Sequence, residues 1–122
     1  MIQKHTHLVI STATDLLRVD ARQILYIQSD GNYCNLVQPG GNIRMISYQL
    51  GHVATMIDAQ FPDVMNTFMR VGRTLIINLN YVYYINLAKQ QLILADNQGN
   101  HYTLSPSRDA LVALKDFMEK KI

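Results

Sequence analysis

The sequence predicts a mainly β fold, with antiparallel sheets in a compact domain and two helices. Three observations carry that expectation. Short apolar runs rich in Ile, Val, Leu and Tyr recur along the chain, as strands favour. Clusters of Gly, Asn, Asp and Pro separate the runs and read as tight turns. Only two segments, about residues 48–58 and 105–121, space their apolar residues as a helix does.

The elements follow in order. His7–Ser11 and Asp15–Val19 are short apolar runs about a Thr12-Ala13-Thr14 link. Ile24–Gln28 is rich in β-branched and aromatic residues. Ser29-Asp30-Gly31-Asn32 interrupts it with turn chemistry, Tyr33–Gln38 resumes, and Pro39-Gly40-Gly41-Asn42 turns again before Ile43–Ser47. Two turns around a six-residue run predict a meander. Ser47 is then the expected N-cap of the first helix, whose Leu50, Val53 and Ile57 share one face. Gly51 costs that helix about 1 kcal/mol relative to Ala. Phe61-Pro62-Asp63 should end it.

Strands return at Met65–Val71, Leu75–Asn78, Tyr81–Leu87 and Gln91–Ala95. Asp96-Asn97-Gln98-Gly99-Asn100 reads as a hairpin turn and His101–Leu104 as the return strand. The last helix should be capped by Ser105, with Pro106 at its first position, where a missing N–H costs nothing. Leu111, Leu114 and Met118 form its apolar stripe. Tyr81, Tyr83 and Tyr84, and scattered methionines such as Met45, Met56 and Met69, are expected as core packing. One domain over residues 1–122 is expected, with the first six residues flexible.

Composition bounds the function. Of 122 residues, 48% are hydrophobic, enough for a sizeable core, and the net charge of +2 is only mildly basic. The single cysteine, Cys34, excludes an internal disulfide and a Cys-based metal framework. His5, His7, His52 and His101 lack zinc-site spacing, so no metal and no cofactor are expected. No run approaches the roughly 20 apolar residues that span a bilayer, and the start carries no signal-peptide pattern. A cytoplasmic location is the expectation. No GxSxG, phosphate loop or HExxH occurs, so neither an enzyme nor a small-molecule substrate is expected.

The arginines say more. Arg108 falls in the first turn of the last helix, where a cation opposes the helix dipole by about 0.3–1 kcal/mol, and Asp109 offsets only part. Helix stability therefore does not ask for it. The same helix start offers N–H groups and the Ser105 and Ser107 hydroxyls to a phosphate oxygen. Arg70 and Arg73 flank Gly72, which lets the backbone approach another molecule closely. Their forked donors fit phosphates and guanine edges. Asn32 and Tyr33, on a polar turn, could touch a base and a sugar. Each feature has a plain structural reading beside the functional one: charge guarding a strand edge, a solvated helix start, an ordinary turn.

In sequence order these segments resemble the LytTR family, the DNA-binding output domains of many bacterial response regulators in two-component systems. Ile24–Tyr33 resembles the family's early strand and turn. Phe68–Asn78, FMRVGRTLIIN, is similar to its most recognisable segment, F-x-R-V-H-R-S-Y-I-V-N. Leu92–Leu94 and Leu104–Arg108 resemble the terminal hairpin and helix start. The resemblance spans roughly Leu8–Glu119.

It implies an antiparallel β fold whose loops, rather than a recognition helix, enter successive major grooves of bent duplex DNA. Carried over by position, the DNA-binding residues would be Asn32 and Tyr33, with Cys34 or Asn35 beside them; Arg70, Gly72, Arg73 and Thr74; and Ser107 and Arg108. Asn78 matches the motif but is assigned a structural role. Gly72 stands where the family usually has His, and Thr74 where it has Ser. The implied partners are duplex DNA at repeated sites, a second copy on that DNA, and a receiver or membrane protein; no receiver domain is read in this chain. The rival reading is an interaction module that docks on a regulator or membrane partner without binding DNA.

Overall fold

The structure is a computed structural model, and it describes residues 7–61 and 67–120. The expected flexibility of residues 1–6, the start of a strand at Met65, the Pro62-Asp63 stop and the helix end at Lys121 fall outside those residues. Among the described residues, ten strands form three antiparallel sheets. β1 (His7–Ser11) pairs with β2 (Leu16–Asp20). A five-stranded sheet combines β3 (Tyr26–Asp30), β4 (Tyr33–Val37), β5 (Ile43–Ile46), β6 (Phe68–Val71) and β7 (Leu75–Asn78) in the order β5-β4-β3-β7-β6. β8 (Val82–Asn86), β9 (Gln91–Ala95) and β10 (His101–Leu104) make a three-stranded meander. The helices are α1 (Leu50–Gln60) and α2 (Arg108–Glu119).

The five-stranded sheet has a core on each face. Ile27, Leu36, Ile46 and Ile76 point to one, where they meet Leu8, Ile10 and Val19 of the β1–β2 hairpin and Leu50, Val53 and Ile57 of α1. Val37, Val71, Leu75 and Ile77 point to the other, with Leu92 and Leu94 of β9 and Leu111 and Leu114 of α2. Alternation along a strand sends neighbours to opposite faces. All four residues of β7 are buried because this strand is covered on both sides. That is why its sequence, LIIN, shows no polar alternation.

The apolar spacing anticipated both helices, but their caps lie elsewhere. Gln49, not Ser47, precedes the first turn of α1, and its side chain makes no capping bond. Ser47 follows directly on β5, and the chain needs Tyr48 and Gln49 to cross from sheet edge to sheet face. Tyr48 anchors the crossing by donating its hydroxyl to Ser11 O at 2.7 Å. At α2, Ser107 rather than Ser105 is the cap, its Oγ accepting from the Ala110 N–H at 3.2 Å. Pro106 precedes the cap instead of opening the helix. It is buried, and its carbonyl accepts from Gln90 Nε2 at 3.0 Å.

Side chains outside the apolar core tie the layers together. Gln60 clamps β1, accepting from the Val9 N–H and donating to Val9 O, both at 2.8 Å. It occupies backbone groups on β1 that lie on the edge away from β2. Asn78 is 1% exposed; its Nδ2 reaches Ala21 O and Ile24 O at 3.2 and 3.0 Å, and its Oδ1 accepts from the Asn80 N–H. Its role is structural, as the sequence reading had it. Cys34 is buried with its thiol on Tyr48 O, and burial pushes its pKa up against the pull of Arg70.

Two expectations for the core fail. Met45 is 64% exposed because β5 is an edge strand and this face of it is uncovered. Tyr83 and Tyr84 are exposed as well. A bulge in β8 lies between Val82 and Tyr84, and Tyr84 shares the outward face of its sheet with Ile93.

Candidate nucleic-acid interface

Hairpin geometry brings the polar segments to one end of the central sheet. β3 and β7 run antiparallel, and the Ser29 N–H donates to Thr74 O at 2.9 Å. The β3–β4 turn, with Gly31 and Asn32, therefore projects from the same end as the β6–β7 turn, with Gly72 and Arg73. The start of α2 joins them. A Cβ built on Gly72 would stand 3.4 Å from the Ala110 Cβ. Gly72 has φ +69°, a backbone state that costs an L side chain about 1–2 kcal/mol.

Between the β6–β7 turn and α2 lies a cleft of about 580 Å³, lined by Gly72, Arg73, Thr74, Ser107 and Ala110 among others. Arg73 is exposed, and its side chain makes no hydrogen bond or ion pair among the described residues. Its carbonyl instead accepts from Arg70 Nη2 at 3.4 Å. Arg70 sits on the other face of β6 and lines a groove against α1 with Gly51, Thr55 and Asp58. So the two arginines around Gly72, both exposed, part company: Arg70 braces the turn, and the Arg73 side chain bonds nothing among the described residues.

Asn32 is exposed and accepts from Gln49 Nε2 at 3.3 Å, so the first turn leans on the start of α1. Tyr33 is 48% exposed. Of its neighbours, Cys34 is buried and Asn35 donates to Asp30 at 3.4 Å. Arg108 is exposed but leans away from the cleft, donating Nη1 to Leu87 O at 3.2 Å. The β8–β9 turn thereby supports the helix start from outside. It carries Lys89, whose N–H is held by Asn86 Oδ1, and Gln90, at φ 51°. The sequence reading overlooked Gln49 and this turn. A lysine on a turn followed by a polar pair was the available signal.

The arrangement offers hydrogen-bond donors on rigid supports. Arginine forks fit phosphates and guanine edges, while the hydroxyls of Thr74 and Ser107 suit phosphate oxygens. Among the described residues, no cluster of His, Cys, Asp or Glu could hold a metal ion, and no helix is long and apolar enough to cross a membrane.

Comparison with known proteins bears on the same end of the molecule. No curated protein matches the chain. Among solved structures, the LytTr DNA-binding domain of a putative methyl-accepting/DNA response regulator from Bacillus cereus superposes with a TM-score of 0.61 at 14% identity. The likeness covers 93% of this chain and 96% of that one, and at this identity it is a likeness of fold. A family profile described as the LytTr DNA-binding domain matches residues 14–119, which include every loop just described. The chain belongs to the LytTr DNA-binding domain family.

Proposed function

We propose that this domain is a bacterial transcription regulator, acting in the cytoplasm, that binds duplex DNA sequence-specifically through its loops. The observation that carries the reading is the gathering of three polar loops at one end of the central sheet, with the Arg73 guanidinium unpartnered among the described residues. A charge held on a rigid hairpin loses little entropy when it meets its partner.

Arg73 is the reader of a base edge, by paired bonds to guanine. Arg108 is the second reader, and must release Leu87 O to reach a base. Asn32 and Tyr33 contact a neighbouring base and sugar. Thr74 and Ser107 hold phosphates, Arg70 holds the loop, and Gly72 sets its path. Neighbouring copies occupy repeated sites.

Selection from random duplexes should enrich one repeated motif. Arg73→Ala should weaken binding to that motif by about 1–3 kcal/mol and relax one base position. The logarithm of affinity should fall with the logarithm of salt at a slope of about 0.9 for each phosphate neutralised. No enriched motif, or unchanged affinity in both the Arg73→Ala and Arg108→Ala variants, refutes the reading.

A further inference from the structure

The five-stranded sheet has two edges with different cover. At one, α2 packs against β6. At the other, β5 pairs only with β4 among the described residues. The Gln38 N–H donates to Asn42 O at 2.8 Å, one step beyond the Val37–Ile43 pair. Antiparallel rungs alternate. Leu36–Arg44 and Cys34–Ile46 are therefore the bonded pairs, and the backbone groups of Ile43 and Met45 point outward. Those two residues are also each 64% exposed. Leu16, 62% exposed, stands across a groove of about 270 Å³ whose walls include Asp15, Leu17, Arg44, Met45 and Ile46. Edge strands are ordinarily guarded against pairing. Here Arg44 is the only charge on the strand.

We propose that a second copy of this chain pairs along β5, strand against antiparallel strand, to make one continuous ten-stranded sheet. Charge decides the register. Setting Ile43 opposite the second copy's Met45 would bring the two Arg44 side chains face to face, which like charges resist. Setting Met45 opposite Met45 keeps the outward backbone groups in register. It lays the second copy's Arg44 beside Ile46, in the groove that holds the Asp15 carboxylate. The Tyr48–Ser11 bond keeps the tip of the β1–β2 hairpin over that end of β5. Asp15 accepts only from the Thr12 hydroxyl and the Thr12 N–H, and Arg44 makes no hydrogen bond or ion pair, among the described residues. Two unpaired opposite charges thus meet twice across the two-fold axis, and Leu16 gains cover from the arginine stem.

The pairing stands apart from the DNA reading. It does have a consequence for it. The two-fold axis reverses the strands, so the polar loops of the two copies lie at opposite ends of the joined sheet. Such a pair would bridge two segments of duplex rather than sit on one.

Sedimentation equilibrium on the full chain should give a dimer as concentration rises to about 1 mM. Asp15→Arg should weaken it about tenfold or more, and adding Arg44→Asp should restore it. Met45→Cys should cross-link across the axis under oxidation, since bonded antiparallel pairs hold their Cα atoms about 5.5 Å apart. Ile43→Cys should not. These positions are exposed, so the fold does not depend on them. A chain that stays monomeric with no Met45→Cys cross-link overturns the proposal. So does cross-linking through Ile43→Cys alone, or a monomer whose β5 edge takes up an unrelated extended peptide.

Discussion

The two ends of the central sheet treat charge in opposite ways. At the end away from the polar loops, Asp96 is 7% exposed and closes the β9–β10 turn onto the β4–β5 turn. Its carboxylate accepts from the Gly40 N–H at 2.9 Å and the Tyr102 hydroxyl at 2.7 Å. It also takes the Gln98 and Asn100 N–H groups and the Asn100 side chain. At the other end Arg73 has no side-chain partner among the described residues. A charge whose partners all lie within the chain is part of the scaffold. One left without them on a rigid turn is available to something else.

Breaking the satisfied end should give the largest effect. Asp96→Ala strands donors from two turns at once, and should lower the thermal unfolding midpoint more than any other variant named in this comparison. Burial pushes the Asp96 carboxyl up, but its hydrogen bonds outweigh burial and hold it well below the ordinary carboxylate range. A depressed pKa stabilises the fold above the unfolded value of about 4 and loses that contribution as pH falls through the folded value. Acid unfolding of the parent should therefore steepen below about pH 4, and Asp96→Asn should flatten that part of the curve. A denaturant series against pH reads both.

The unsatisfied end should respond the other way round. Arg73→Ala should leave the unfolding midpoint where it is while costing DNA affinity about 1–3 kcal/mol. A falling midpoint with unchanged binding would turn the comparison upside down. Gly72→Ala sharpens it, because this residue belongs to both categories. Its left-handed backbone should cost stability of about 1 kcal/mol, and the displaced turn should weaken binding without changing which motif is selected. The smallest effect belongs to Lys115, paired with Glu119 on exposed helix at 2.8 Å. Lys115→Ala should match the parent in both assays.

Much of the fold was legible because local physics specified it. Gly31 and Gly72 sit at positive φ, where their turns required glycine. Leu50, Val53 and Ile57 are buried on one face of α1, as their spacing required. The caps were misplaced for non-local reasons: Gln90, 16 residues away, holds Pro106 outside the helix. The exposed positions of Met45 and Tyr83 were illegible because strand sequence does not say whether its other face will be covered. In the site, Arg70 and Arg73 are three residues apart with the same chemistry. Only the fold separates them: Arg70, on β6, lines the groove against α1 and bonds the turn, while Arg73, on the turn, lines the cleft against α2.

The order of turns, strands and helices was written into the chain itself, because glycine conformations, apolar periodicity and the FMRVGRTLIIN segment act over a few residues. Which charges remain unpaired, which strand is left at the edge and which loops share an end emerged only on folding. Those properties depend on partners brought from dozens of residues away, and no local stretch of sequence contains them.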